Sequence, residues 1–194
     1  MTKTEYIIIA GVNGAGKSTL FQIQPNLFAH TKRINADEIL HQMHGDWRKN
    51  SDNFKAMREE VKQLHAALAE KLSIHQETTL SGTGKAQLNL INQAHKNGFK
   101  VTLLYVALDS ANTAIERVQN RVSRGGHGIP TKTIALRYQQ SNRNLFTIAS
   151  KADKVIIYDN TDRFVKVYAR ENGQTIQDDL KNFPWIDQRL SHLN

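Results

Sequence analysis

GVNGAGKS at residues 11–18 is the stretch that decides the fold of this chain. It fits G-x-x-x-x-G-K-[ST], in which glycines let backbone N–H groups face phosphate oxygens. The apolar, β-branched run at residues 5–10 precedes it and predicts a buried strand, and a helix can begin at Lys17. Because the helix dipole adds positive charge to the N–H groups of the turn, this arrangement is an anion site. The sequence therefore predicts that the chain binds the phosphates of a nucleotide.

Two side chains of this loop have specific expected tasks. Lys17 is expected to reach the β- and γ-phosphates, and the Ser18 hydroxyl is expected to ligate Mg²⁺. No later strand supplies a clear second metal ligand, because Asp109 and Asp159 could each cap the next turn instead. The residues predicted to bind the nucleotide are Gly11, Asn13, Gly14, Ala15, Gly16, Lys17, Ser18, Thr19 and Arg121.

Composition is that of a soluble globular protein. The 194 residues are 39% hydrophobic and 23% charged, which suits one α/β domain spanning residues 1–194. The sequence has no cysteine, which excludes disulfides and thiolate metal sites. No apolar run approaches the roughly 18 residues of a membrane-spanning helix, and no signal peptide is evident, so a cytoplasmic location is expected.

The net charge of +8 predicts an anionic partner. Only 7% of the residues are aromatic and the basic residues are spread along the chain, which is not typical of a nucleic-acid surface. The most ordered basic cluster is Arg117, Arg121 and Arg124, whose spacing places them on one face of a helix. This cluster suits a compact polyphosphate better than a long nucleic-acid backbone.

Apolar strands alternate with helical patterns along the chain, which predicts an α/β fold with a mostly parallel central sheet. Strands are expected at 5–10, 32–35, 74–79, 100–106 and 155–158, and helices at 17–22, 54–72, 84–97, 115–122 and 134–148. The longest helix is expected to bury an apolar stripe formed by Phe54, Met57, Val61, Leu64, Leu68 and Leu72. A hairpin is expected at about 163–177, because Asn172-Gly173 favours a type I′ turn.

Two carboxylates follow strands that neighbour the P-loop. Asp37 comes after the second strand and Glu77 ends the third, and the carboxyl ends of parallel strands line the ligand crevice. Asp37 could accept the proton of an attacking hydroxyl, and Glu77 could bind hydroxyls of the acceptor. Alternatively, Asp37 belongs to a helix start that is capped by Asn35 with Glu38 reaching back, and Glu77 faces solvent. Spacing alone leaves both interpretations open.

Residues 117–137 are predicted to form a helical lid. A glycine-rich segment at 125–128 interrupts the arginine helix and could act as a hinge, and Arg137 lies beside the apolar stripe of the following helix. Phosphoryl transfer spreads negative charge over the equatorial oxygens, and arginines delivered by closure of a lid stabilise it. The alternative is a solvated basic face with ordinary turn glycines.

These motifs resemble the zeta toxin family of P-loop kinases. The resemblance covers about residues 5–175 and is carried by GVNGAGKST at 11–19, NADE at 35–38, ETTLSG at 77–82, RVQNRVSRGGHGIP at 117–130 and RYQQSNRNL at 137–145. The first motif is common to many nucleotide-binding proteins, whereas the arginine–glycine–histidine segment followed by R-Y-x-x-S-x-x-N-L is much more specific. The resemblance implies a three-layer P-loop kinase fold with a helical lid and a C-terminal β-hairpin.

Zeta toxins phosphorylate a hydroxyl of UDP-N-acetylglucosamine or related UDP-amino sugars, so the resemblance implies an ATP- and Mg²⁺-dependent kinase. It places Lys17 and Ser18 at ATP–Mg²⁺, Asp37 as the general base, and Arg124 and Arg137 on the transferring phosphate. The residues expected at the sugar substrate are Asp37, Glu77, Thr78 and Thr79. An antitoxin neutralises the better-known members, and any antitoxin of this chain would be a separate protein. The alternatives are a kinase for a nucleoside, sugar acid or RNA end, and a non-catalytic nucleotide-binding module.

Overall fold

Seven strands form one sheet in the computed structural model, which describes residues 4–193. The strands are β1 (Glu5–Ala10), β2 (Lys32–Ile34), β3 (Ile74–Thr78), β4 (Lys100–Ala107), β5 (Lys154–Asp159), β6 (Val165–Glu171) and β7 (Gln174–Asp178). Their order across the sheet is β2-β3-β1-β4-β5-β6-β7. Strands β1 to β5 pair in parallel, whereas β6 pairs antiparallel with both β5 and β7. The prediction of a mostly parallel central sheet is confirmed.

Six α-helices are found between residues 4 and 193. They are α1 (Thr19–Ile23), α2 (Ala36–Gln42), α3 (Asn50–Ala69), α4 (Lys85–Lys96), α5 (Ala111–Ser123) and α6 (Thr131–Ala149). Five of them correspond to predicted helices, and α2 is the helix that the alternative interpretation of Asp37 requires. None of the helices in this part of the chain is both long and apolar enough to span a membrane.

Side chains of the strands alternate between the two faces of the sheet, as β1 shows. Tyr6 and Ile8 point to one face, Ile7 and Ile9 point to the other, and all four are buried. Buried residues of α2, α3, α4 and the C-terminal half of α6 cover the first face. Those of α1, α5 and the first turn of α6 cover the second face. The chain therefore has three layers, with a hydrophobic core on each side of the sheet.

The buried face of α3 differs from the predicted stripe. Of the six predicted positions, only Leu64 and Leu68 are buried. The other four, exposed by 42–64%, are Phe54, Met57, Val61 and Leu72. The buried face runs through Ala56, Glu60, Leu64, Ala67 and Leu68. Alanines on this face let α3 pack closely on its neighbours, and the larger Phe54 and Met57 are left to line a cleft.

A two-residue turn, Asn172-Gly173, joins β6 to β7. Both residues have positive φ, 51° and 80°, as a type I′ turn requires. The predicted C-terminal hairpin is confirmed. Beyond β7 the chain folds back onto the first face of the sheet, where Leu180 and Leu190 are fully buried.

Candidate active site

The P-loop, residues 11–18, leaves β1 at the carboxyl edge of the sheet. Strand β1 lies beside β4, and the chain runs from β1 toward one edge of the sheet and from β4 toward the other. Open α/β sheets bind ligands at such a point. Gly11 has a φ of 140°, and a Cβ there would lie 2.5 Å from the Val106 carbonyl oxygen of β4. A side chain at this position would therefore push the loop away from the sheet. The close approach of loop and strand explains why the motif begins with glycine.

Lys17 places its ammonium over the P-loop. Its Nζ donates hydrogen bonds to the carbonyl oxygens of Gly11, at 2.8 Å, and Val12, at 3.3 Å. Burial lowers the pKa of Lys17 to about 8, and the carboxylates of Glu77 and Asp37 oppose that decrease. The structure therefore holds a cation where the β- and γ-phosphates of a P-loop nucleotide lie.

The oxygen-rich surroundings of Ser18 fit Mg²⁺. The Ser18 hydroxyl makes no capping hydrogen bond to α1, and it lines a pocket of about 310 Å³ together with Asp37 and Glu77. Hydroxyl and carboxylate oxygens are ligands that Mg²⁺ accepts, usually beside phosphate oxygens and water. Residues 4–193 contain no cluster of three or more His, Cys, Asp or Glu side chains that could bind a metal alone. Ser18 is thus the protein group best placed to ligate Mg²⁺ alongside a phosphate.

The turn after β5 forms a hydrogen bond with the backbone of the P-loop. Asn160 donates its side-chain amide to the Ala15 carbonyl at 2.9 Å, and the Thr161 carbonyl accepts from Arg117 at 2.7 Å. Asp159 caps this turn by accepting from Thr161, and it also accepts from the Trp185 indole N–H at 2.8 Å. Asp159 therefore has the turn-capping role that the sequence left open. Sequence reasoning missed Asn160, whose only signal is its place directly after a buried strand.

Three arginines of α5 and α6, together with Arg48 before α3, line the cleft that the P-loop shares with α2, α3 and the predicted lid, and this P-loop cleft has a volume of about 960 Å³. Arg137 donates to the Asn13 side-chain oxygen at 3.0 Å, which fixes its guanidinium against the P-loop. Arg121 donates to the His127 carbonyl oxygen from both Nε, at 3.0 Å, and NH2, at 2.6 Å. Arg117 is the third. The cleft therefore concentrates positive charge opposite its carboxylates.

Arg124 does not line the P-loop cleft. Helix α5 ends at Ser123, and Arg124 is its exposed C-cap residue. The spacing that aligns Arg124 with Arg117 on one helical face requires the helix to continue, and the chain turns away at this point. The structure thus brings Arg137 to the nucleotide side of the cleft and leaves Arg124 outside it.

The segment that the sequence predicts as a lid contacts the opposite wall of the P-loop cleft. The His127 ring stacks on Trp47, which precedes α3, with 4.8 Å between ring centroids. Gly128 is also close, since a Cβ there would lie 3.1 Å from the Trp47 ring. His127 is thus a packing residue, and the contact closes one end of the cleft.

Asp37 lies in the first turn of α2 and lines the P-loop cleft. Asn35 caps the helix, because its side-chain oxygen accepts from the Asp37 N–H at 2.7 Å and the Glu38 N–H at 3.4 Å. The predicted cap is present, but Glu38 pairs with Arg33 at 2.6 Å and does not reach back. Asp37 is therefore both part of a capped helix start and a carboxylate that faces the cleft, so the two interpretations do not exclude each other. The cap aims the first turn of α2 at the P-loop.

Glu77 is held at the end of β3, next to β1. Its partner across the sheet is Ile9, and its carboxylate accepts from Arg33 at 2.6 Å. Only 10% of the Glu77 side chain is exposed, so the solvent-facing interpretation is wrong. Thr78 and Thr79 follow it along the wall of the P-loop cleft. The cleft therefore brings Glu77, both threonines and Asp37 together.

Glu60 is a third carboxyl in the P-loop cleft, and sequence reasoning missed it. It lies on the buried face of α3, and its Oε1 has no hydrogen-bond partner among residues 4–193. Burial raises the pKa of Glu60 to about 7, the nearby Asp37 and Glu77 raise it further, and hydrogen bonds from Ala36 and Gln76 oppose the rise. The sequence signal for Glu60 was its helical spacing with Ala56, Leu64 and Ala67, which places a carboxyl on an otherwise apolar helix face.

Near pH 8, the free energy of unfolding of the Glu60→Gln variant is expected to exceed that of wild type by about 1–3 kcal/mol. Each unit by which the pKa differs between the folded and unfolded states contributes about 1.4 kcal/mol. The unfolded carboxyl ionises near 4.5, whereas the folded one keeps its proton to about pH 7. Wild-type stability therefore falls as pH rises across that window, and glutamine does not ionise. Urea unfolding near pH 4 and pH 8 measures this. An equal stability difference at both pH values would contradict it.

The chain is similar to a protein of known sequence and to several solved structures. An uncharacterised protein of Haemophilus influenzae is 32% identical over 132 residues, which are 68% of this chain and 91% of that protein. Among solved structures, the AvrRxo1-ORF1:AvrRxo1-ORF2 complex with sulphate ions matches with a TM-score of 0.76 and 13% identity. The match covers 95% of this chain, which spans only 63% of the length of that one.

A second solved structure comes from the PezAT chromosomal toxin–antitoxin system of Streptococcus pneumoniae. It matches with a TM-score of 0.59 and 19% identity, over all of this chain and 84% of that one. At these identities the two structures show a shared fold. The model of the family described as Zeta toxin matches residues 2–173, nearly the whole chain. This chain belongs to the zeta toxin family.

Proposed function

We propose that this ATP-dependent phosphotransferase of the zeta toxin family transfers the γ-phosphate of ATP to a hydroxyl of a UDP-amino sugar such as UDP-N-acetylglucosamine. One observation carries the proposal: Asp37, Lys17 and Arg137 line the same cleft. Phosphoryl transfer needs a base for the attacking hydroxyl, a cation at the donor phosphates and positive charge for the transition state. A carboxylate, an ammonium and a guanidinium in one cleft can supply these three parts.

The donor half of the site is the P-loop. Its N–H groups and Lys17 bind the β- and γ-phosphates, with Thr19 at the start of α1 and Arg121 above them. Ser18 would ligate Mg²⁺, which neutralises phosphate charge when it is bound. Arg137, held by Asn13, stabilises the charge that develops on the γ-phosphate oxygens. A catalytic role for Arg124 remains a prediction that its position outside the cleft does not support.

The acceptor half lies between α2, α3 and the end of β3. Asp37 takes the proton of the acceptor hydroxyl while the hydroxyl oxygen forms a bond to the γ-phosphorus. The bond from that phosphorus to the β,γ-bridging oxygen breaks, and ADP leaves with the electron pair. Glu77, Thr78 and Thr79 hold other hydroxyls of the acceptor. Carboxylates and threonine hydroxyls suit a polyhydroxylated sugar.

The apolar part of the P-loop cleft supports a nucleotide-like acceptor. Trp47, Phe54 and Met57 line it. The Trp47 ring packs against His127 and Arg48, whereas Phe54 is 64% exposed and offers an aromatic ring on which a planar base can stack. A volume of about 960 Å³ is large enough for a nucleotide and a bulky second substrate. Acidic groups for a sugar beside an aromatic wall for a base favour a nucleotide sugar over a small sugar acid.

Release of ADP in the presence of different acceptors tests the function. Wild type, ATP and Mg²⁺ are combined with UDP-N-acetylglucosamine, a nucleoside, a sugar acid or an RNA with a free terminal hydroxyl, and with no acceptor. We expect the UDP-amino sugar to stimulate ADP release most strongly, and Lys17→Ala to abolish the stimulation. Stimulation by RNA alone would overturn the proposed acceptor. ATP binding without stimulation by any acceptor would indicate a non-catalytic nucleotide-binding module.

A separate antitoxin protein is the proposed partner of this chain. The PezAT structure belongs to a toxin–antitoxin system, and the similarity to it supports this proposal. Growth of cells that overexpress wild type or Lys17→Ala is the corresponding test. We expect arrest with wild type alone, because the variant keeps the fold and loses the phosphate-binding ammonium. Equal growth of both cultures would argue against a toxin.

A further inference from the structure

Helix α6 holds the loop that follows β3, and this contact involves the part of the R-Y-x-x-S-x-x-N-L motif that does not touch the P-loop. Gln140 accepts from the Gly82 N–H at 2.8 Å, and Arg143 donates to the Gly82 carbonyl at 2.9 Å. Asn144 donates to the Leu80 carbonyl at 2.7 Å and to that of Gly82 at 3.2 Å. We call residues 79–84 the acceptor loop. Four hydrogen bonds from one helix fix its backbone.

The acceptor loop has a conformation that needs such support. Leu80 has a φ of 51°, in the left-handed region that a leucine rarely occupies, and Gly82 and Gly84 have φ values of 73° and 76°. A non-glycine residue stays in that region only when its surroundings over-determine it. The side chain of Leu80 is buried, and its carbonyl is bound by the buried Asn144. Asn144 thus holds the strained Leu80 through its backbone carbonyl, while the core holds its side chain.

The acceptor loop carries side chains into the P-loop cleft. It continues directly from Glu77 and Thr78, and Thr79 and Ser81 line the cleft. The hydroxyl of Thr79 donates to that of Ser81 at 3.0 Å. Because the left-handed residue lies between these two hydroxyls, its conformation sets how they face the cleft.

The same helix positions the lid arginine. Arg137 lies two turns before Asn144 on α6 and contacts Asn13 of the P-loop. Between them, Ser141 and Asn142 pair with the Tyr105 hydroxyl of β4, at 3.0 and 2.8 Å. Helix α6 is therefore anchored on the sheet midway between its contacts with the P-loop and with the acceptor loop.

We propose that Asn144, assisted by Gln140 and Arg143, is a positioning residue that sets the acceptor loop, so that α6 holds the acceptor hydroxyls in register with Arg137. This inference rests on the proposed function for its catalytic consequence. Asn144 does not line the P-loop cleft, and acts through the backbone of Leu80 and Gly82. Its loss affects the acceptor side of the site and leaves the donor side intact.

The test compares Asn144→Leu with Asn142→Leu. Both replace an asparagine of α6 by an apolar side chain of similar size, but only the first removes hydrogen bonds to the acceptor loop. For Asn144→Leu we expect the KM for UDP-N-acetylglucosamine to rise about tenfold, as loss of such hydrogen bonds implies, with the KM for ATP unchanged. Asn142→Leu removes one of the two contacts that the Tyr105 hydroxyl makes with α6, and Ser141 keeps the other, so both KM values should stay near wild type. Equal acceptor KM values in the two variants would overturn the proposal.

Hydrogen–deuterium exchange gives a readout that needs no acceptor. Amides of residues 79–84 should exchange about tenfold faster in Asn144→Leu than in wild type or Asn142→Leu, while the P-loop amides keep their rate. Unchanged exchange in the loop would also overturn the positioning role. If wild type does not phosphorylate UDP-N-acetylglucosamine, the proposed function fails, and the loop exchange still decides whether Asn144 fixes the loop. Gln140→Ala, at a partly exposed position, provides the same comparison if Asn144→Leu does not fold.

Discussion

Replacing Asp37 by asparagine is expected to lower kcat for phosphoryl transfer about 10³-fold, within the range for loss of a general base. Asparagine keeps the shape of the side chain, and the Asn35 cap bonds to the backbone N–H of residue 37, so the first turn of α2 is retained. ATP binding involves the P-loop and should not change. Single-turnover rates and an ATP titration of wild type and variant measure the two effects separately.

Glu38→Gln is the matched control for Asp37→Asn. It makes the same change of charge one residue later in α2, and Glu38, which pairs with Arg33, lines the smaller pocket beside Ser18 but not the P-loop cleft. Arg33 keeps its second partner, Glu77, so the cleft wall is retained. We expect kcat to remain near wild type. Similar losses in both variants would mean that net charge, rather than a base at position 37, sets the rate.

Replacing Arg137 by alanine is expected to lower kcat about 10³-fold or more, as removal of an arginine that stabilises the phosphoryl transition state does. The guanidinium donates to Asn13 of the P-loop, beside the proposed position of the γ-phosphate. The Arg124→Ala variant is the control, because Arg124 lies outside the cleft and should keep nearly full activity. The measurement is kcat at saturating ATP and acceptor for both variants.

The opposite outcome for the arginines has a clear meaning. An equal loss of kcat in Arg124→Ala would show that the lid moves during the reaction and brings Arg124 into the cleft, as the sequence resemblance predicts. Such a movement would have to break the Trp47–His127 stacking that closes the cleft. Fluorescence of Trp47 on addition of ATP would then change in wild type, with Trp185→Phe used to remove the second indole.

Local patterns predicted most of the fold correctly. The P-loop, the order of strands and helices, and the Asn172-Gly173 turn each depend on residues close together in the sequence. The prediction for α3 failed because its sequence carries two apolar stripes. The stripe with Phe54 and Met57 is the more hydrophobic one, but close packing against the core selects the stripe with alanines.

The candidate site was predictable where a strand end or a loop motif fixes a position. Asp37 and Glu77 meet in one cleft because parallel strands end at the same edge of the sheet. Arg124 differs, because helical spacing extends a face only as far as the helix continues, and both the predicted helix at 115–122 and the observed α5 end before Arg124. Glu60 and Asn160 act through tertiary contacts, and their only sequence signals are a carboxyl on an apolar helix face and an amide directly after a buried strand.

The identity of the phosphorylated product tests the central claim most directly. Mass spectrometry is applied to the products of ATP, Mg²⁺ and UDP-N-acetylglucosamine after incubation with wild type or with Asp37→Asn. We predict a UDP-amino sugar that carries one added phosphoryl group on a sugar hydroxyl with wild type, and almost none with the variant. Absence of that product with wild type, or equal amounts with both proteins, would contradict the account.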